Sequence, residues 1–175
     1  MSLVSYLVAA MLSWVPLYAQ TAESKEDALA RYESIAGDAA EVATDAEESP
    51  LFSGPSGRAQ TALLMLSVAS YESAYRKTVD DGDNLGDSGR SFCLMQIRVG
   101  DGTTREGWTG KDLVAERTRC FRAALHILHG SFNICHTLPV EDRMSAYATG
   151  RCFENADVSR SRIGRARSWW LTHKL

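Results

Sequence analysis

A chain of 175 residues, 45% apolar and carrying 19 Lys and Arg against 22 Asp and Glu, has the size and balance of one globular domain. That excludes a disordered tail, a repeat array and a large multidomain assembly, and a core of this size needs no cofactor, metal or second copy to form, so a monomer is expected. Charge is uneven: residues 20 to 49 hold nine acids against two bases, and residues 50 to 175 hold 17 bases against 13 acids, a modestly basic body that suits an anionic polymer but lacks the dense cationic footprint of a nucleic-acid binder.

The chain opens on an uncharged apolar stretch, Leu3 to Ala19, interrupted by Ser5, Ser13 and Pro16. Its position, its length and the small residue Ala19 closing Leu17-Tyr18-Ala19 before Gln20 give residues 1–19 the pattern of an export signal, although no Lys or Arg precedes it. An uncleaved anchor and a buried core segment are the alternatives; a spanning helix needs about 20 apolar residues, so no stable membrane span is expected once a signal is removed. Residues 20–175 then form a single domain.

Between residues 24 and 48 the apolar positions Ala28, Leu29, Tyr32, Ile35, Ala36, Ala39, Val42 and Ala43 recur at three and four, predicting an amphipathic helix. Pro50 to Gly57 reads as a loop, and Gln60 to Tyr75 as a helix apolar nearly all round, hence buried. Val79 to Gly89 is a run of turn residues, after which Ser91 to Val99 reads as a short β segment. Helical spacing returns from Leu113 to Phe132; Pro139 opens a short helix ended by Gly150, and residues 159–175 form a closing basic, Trp-containing tail with its arginines outward. The expected fold is α-dominant with a minor β segment near residues 91–99.

Cys93, Cys120, Cys135 and Cys152 form an even set with no Cys-x-x-Cys pair, which in an exported chain reads as two disulfides. Pairing Cys93 with Cys120 and Cys135 with Cys152 closes short loops; Cys120 with Cys152 also fits two antiparallel helices. A zinc site from Cys135 with His126, His129 and His136 is the weaker alternative, and no metal is expected.

The residue that speaks most directly of chemistry is Glu72, a carboxylate near the end of the most apolar helix, where desolvation disfavours the ionised form and suits a general acid. Three separated segments give it company: Ala69-Ser70-Tyr71-Glu72-Ser73, Leu94-Met95-Gln96-Ile97 and Ala146-Tyr147-Ala148-Thr149-Gly150. In this order and spacing, over residues 60 to 152, they resemble the lytic transglycosylase (SLT-type) domain of the lysozyme superfamily, related to goose-type lysozyme. The resemblance implies a lysozyme-like fold and an exported, periplasmic or extracellular enzyme acting on peptidoglycan glycan strands at the β-1,4 bond between N-acetylmuramic acid and N-acetylglucosamine. It implies Glu72 as the single acid and base, with Ser73, Met95, Gln96 and Tyr147 as substrate-binding residues, and no cofactor.

The sequence departs from that pattern at Cys93, where the family has glycine, at Ala148, where it has asparagine, and in Ser88-Gly89-Arg90-Ser91, a loose match to Ser-x-x-Gly-Ala. Two alternatives follow. A goose-type-like hydrolase would take its second carboxylate from Asp80, Asp81, Asp83 or Asp87, and a catalytically silent domain would bind peptidoglycan without cutting it. Other short motifs carry less. Gly86-Asp87-Ser88-Gly89 resembles a serine protease nucleophile segment, but every histidine follows it; Asp81-Gly82-Asp83-Asn84-Leu85-Gly86 starts like a calcium loop, but Leu85 and Phe92 stand at ligand positions.

Overall fold

The computed structural model describes residues 1–154, 156–173 and 175, with the side chain of Ala148 outside the described set. Helices dominate, as expected, and among the described residues the strands form one two-stranded antiparallel sheet within the expected β segment near residues 91–99. The central element is α3 (Gly57–Glu72), in which every residue from Thr61 to Ser70 is buried. It is surrounded by α1 (Leu3–Trp14), α2 (Lys25–Thr44), α6 (Arg117–Ile134) and α8 (Ala156–Thr172). The start of α3 runs so close beneath the preceding loop that a Cβ on Gly57 would stand 2.0 Å from the Phe52 carbonyl oxygen.

The apolar segment at the start of the chain packs on the rest of the molecule: α1 lays Tyr6, Leu7, Ala10 and Met11 into the core, with Tyr6 edge-on to Trp169 and Trp170 of α8. The chain beyond α1 is tied in as well, since Tyr32 of α2 donates to the Val15 carbonyl at 3.0 Å and Gln20 Nε2 donates to the Ala74 carbonyl at 2.9 Å. Ser24 caps α2, its hydroxyl accepting from the Asp27 amide, with Glu26 and Asp27 in the positive first turn.

After α3 come α4 (Lys77–Asp80) and the hairpin β1 (Ser91–Phe92) and β2 (Ile97–Arg98), in which Ser91 pairs with Arg98 and Phe92 with Ile97. The single helix expected from Leu113 to Phe132 is two: α5 (Gly110–Ala115), opened by a Thr109–Asp112 capping box, and α6, separated by Glu116 in extended backbone. The break lets α6 begin with Arg117 bonded to Asp80, Asp38 and Ser34. Likewise the helix expected after Pro139 is a 3₁₀ turn, Val140–Asp142, followed by α7 (Ala146–Thr149), which Gly150 ends in left-handed conformation as expected.

Cys93 is bonded to Cys120 and Cys135 to Cys152, which excludes the Cys120–Cys152 pairing and, by consuming Cys135, the zinc reading. The bridges fasten the β1–β2 turn to α6, and the end of α6 to the segment after α7, and they are bonds of an oxidising compartment. Among the described residues no helix is long and apolar enough to cross a membrane. Reduction is expected to remove about 3 kcal/mol per bridge, given chain separations of 27 and 17 residues, and to lower the melting temperature by about 6–12 °C for each. Differential scanning calorimetry with and without reductant checks this; an unchanged transition would leave the bridges without a stabilising role.

Candidate active site

Glu72 is where α3 leaves the core. The helix is buried through Ser70, Tyr71 is exposed, and Glu72 keeps about a fifth of its side chain accessible. Ser73 then closes the helix: its hydroxyl donates to the Ala69 carbonyl and accepts from the Tyr75 amide. Ala74 and Tyr75 take left-handed φ values of 50° and 51°, and the Tyr75 ring turns back into the core, its hydroxyl donating to the Leu66 carbonyl at 2.7 Å. This reversal fixes the carboxylate at the helix end.

The hairpin supplies the facing wall. Cys93 and Gln96, both at positive φ, form its turn, and the Gln96 side-chain amide donates to the Cys93 carbonyl. Gly86 makes room for Gln96, because a Cβ there would fall 1.8 Å from Gln96 Oε1. From the third segment, the Tyr147 hydroxyl donates to the Met95 carbonyl at 3.0 Å, joining α7 to the hairpin turn. Burial, reinforced by the Glu72 carboxylate and opposed by Arg162, pushes the Tyr147 phenol far up, so it stays a protonated donor.

Glu72, Gln96 and Tyr147, drawn from three separate segments, therefore line one open cleft of about 460 Å³, with Asp87, Ser91 and Arg98 on its rim. The non-glycine residues at positive φ among the described residues fall just after α3 (Ala74, Tyr75), in the loop before β1 (Asp87, Ser88) and in the hairpin turn (Cys93, Gln96), and of these Asp87 and Gln96 line the cleft. Left-handed backbone costs about 1–2 kcal/mol per residue, and such strain concentrates at functional sites.

The other sequence candidates lie elsewhere. Ser73 is buried under the helix end and Met95 is fully buried in the core, offering only its carbonyl to Tyr147, so neither side chain lines the cleft. Of the four aspartates, Asp87 alone borders it, paired with Arg98 at 3.0 Å. Asp80 is buried between Arg117 and Arg31; Asp81 pairs with Lys77, and Asp83 is exposed.

Arg162 is the residue that the sequence did not single out. Its Nη2 donates to Glu72 Oε1 at 2.7 Å, its guanidinium lies over the Tyr71 ring, and its own carbonyl accepts from Ser67. Arg165, one turn further on, bonds Ser70 and stacks on Tyr71 at 3.9 Å. These two arginines of α8 thus turn inward onto α3, correcting the expectation of an outward basic face, while Arg160 and Arg167 pair with Asp142 and Glu141. Arg162 thus holds one oxygen of a carboxylate that also lines the cleft. No family model, curated protein or solved structure matches the chain.

Proposed function

We propose that the protein is an exported peptidoglycan-cleaving enzyme of the lytic transglycosylase type, working in the periplasm or outside the cell on the glycan strand. The observation that carries this reading is the meeting of Glu72, Gln96 and Tyr147 in one cleft. Protonated Glu72 gives its proton to the leaving glycosidic oxygen as the bond to C1 of the muramic acid breaks. The same carboxylate then takes the proton of the 6-hydroxyl as that oxygen bonds to C1, closing a 1,6-anhydro ring without a second protein carboxylate. Gln96 binds sugar, and Tyr147 holds the hairpin turn against α7.

A second reading, a silent peptidoglycan-binding domain, is favoured by the Arg162 contact, since a guanidinium on Glu72 Oε1 neutralises the carboxylate as a structural ion pair does. Ala148 at the asparagine position of the family pattern supports it too. Digestion of purified sacculi followed by mass spectrometry of the muropeptides separates the readings. Anhydro products, one water lighter than hydrolysed ones, support the transglycosylase. Reducing ends alone would replace it with a hydrolase and bring Asp87 forward as base; retained binding with no release would leave the binding domain.

Gly86→Ala is expected to push Gln96 out of the cleft, raising KM several-fold, about the worth of one hydrogen bond, with a nearly unchanged melting temperature. Steady-state kinetics beside a thermal melt check it; an unaltered KM would remove Gln96 from sugar binding.

A further inference from the structure

His126, on α6, has a carboxylate oxygen on each ring nitrogen: Glu106 Oε1 lies 2.5 Å from Nδ1 and Glu48 Oε2 lies 3.0 Å from Nε2. A neutral imidazole has one N–H and one lone pair, so it can satisfy only one of two carboxylates and must turn its lone pair on the other. Only the imidazolium donates to both. We propose that His126 is a pH-operated latch that, while protonated, holds the β2–α5 loop, residues 99–109, against the segment between α2 and α3, and lets the loop go when deprotonated.

The surrounding charges decide which contact gives way. From the segment after α2, Glu48 is also held by Arg122 at 3.1 Å, and Arg122 reaches Asp45 at 2.6 Å, so this side is braced from α6 itself. His129, the next histidine on α6, bonds the Ser49 carbonyl and holds the same segment. From the loop, Glu106 has Thr104 of its own loop as a further partner, with Arg105 beside it, and from β2 Arg98 faces the same pocket. With Glu48 braced by an arginine and Glu106 braced only by its own loop, loss of the proton releases Glu106. The loop wall it anchors lines a pocket that shares Ile97, Arg98 and Ile127 with the Glu72 cleft, so release opens the end of that cleft.

The direction of titration agrees. Burial acts to lower the His126 pKa, but the bonds to Glu106 and Glu48 outweigh it and hold the value above its ordinary 6.5. Burial acts to raise that of Glu106, and the bonds from His126 and Thr104 outweigh it and hold it below its ordinary 4.5. The latch is therefore fully formed below the unfolded histidine value and lost as pH rises through the raised folded one, and at the acid end it is lost as Glu106 protonates.

Hydrogen exchange on the full chain tests this at three loop amides with defined acceptors: Thr104 to the Trp108 carbonyl, Gly107 to the Thr104 carbonyl, and Trp108 to the Thr104 hydroxyl. After correction for intrinsic rates, these amides should exchange on the order of tenfold faster at about pH 9 than at about pH 6, the effect of losing one charge-assisted bond. His126→Gln should show the fast rate at both pH values. Glu106→Gln, whose amide can donate to a neutral imidazole, should lose the pH step while keeping the loop protected. Wild-type protection independent of pH, or the same step in either variant, would overturn the latch.

Discussion

Glu72→Gln is expected to lower the rate of glycan cleavage by about 10²- to 10⁴-fold, the usual worth of a positioned general acid and base. The melting temperature should barely move, because the carboxamide keeps an oxygen that can accept from Arg162 Nη2, the hydrogen bond made in the wild type at 2.7 Å. Loss of rate with the fold intact is what separates a catalytic carboxylate from a structural one. A variant that cleaves as fast as wild type would return Glu72 to a helix-end ion pair, and a variant that melts much lower would make the Arg162 contact its main role. The measurement is the rate of turbidity loss of a sacculus suspension, paired with circular dichroism of the same samples.

Much of the fold was legible because its physics is local. The spacing from Ala28 to Ala43 and the almost wholly apolar surface of α3 are local signals that tertiary contacts only reinforce, and the turn residues from Val79 to Gly89 lie between α3 and the hairpin, the short α4 overlapping their start. The pairing present, Cys93 with Cys120 and Cys135 with Cys152, is the one that closes short loops. What escaped was long-range. Arg162 stands 90 residues from Glu72, and an arginine in a basic tail reads as solvated until α8 is docked by the Ser67 bond to its backbone. The break at Glu116 escaped for a related reason: glutamate is a good helix former, and the turn is set by the Thr109 box on one side and the partners of Arg117 on the other. Met95 shows the limit of motif reading, since its side chain points into the core and its carbonyl is what meets Tyr147.

Asp80, read from the sequence as a possible second carboxylate, is instead expected to matter for stability more than any other aspartate. Its side chain is 2% exposed; Oδ1 accepts from Arg117 Nε at 2.7 Å, and Oδ2 faces Arg31 Nη1 at 3.6 Å. Arg31 is itself buried and clasps Glu23, while Arg117 continues to Asp38 and Ser34, so one carboxylate joins the loop before α2, α2 itself, α4 and the start of α6. Removing its charge takes from the buried Arg31 and the partly buried Arg117 the carboxylate they share, and breaking a buried pair from one side costs about 3–5 kcal/mol. Asp80→Asn should therefore lower the melting temperature by about 6–20 °C. A cycle with Asp80→Ala, Arg117→Ala and the double variant should show strong coupling, because in the double variant Arg117 no longer stands without its Asp80 partner. An Asp80→Asn protein that melts like wild type but has lost cleavage would reverse the assignment and make Asp80 a catalytic group after all.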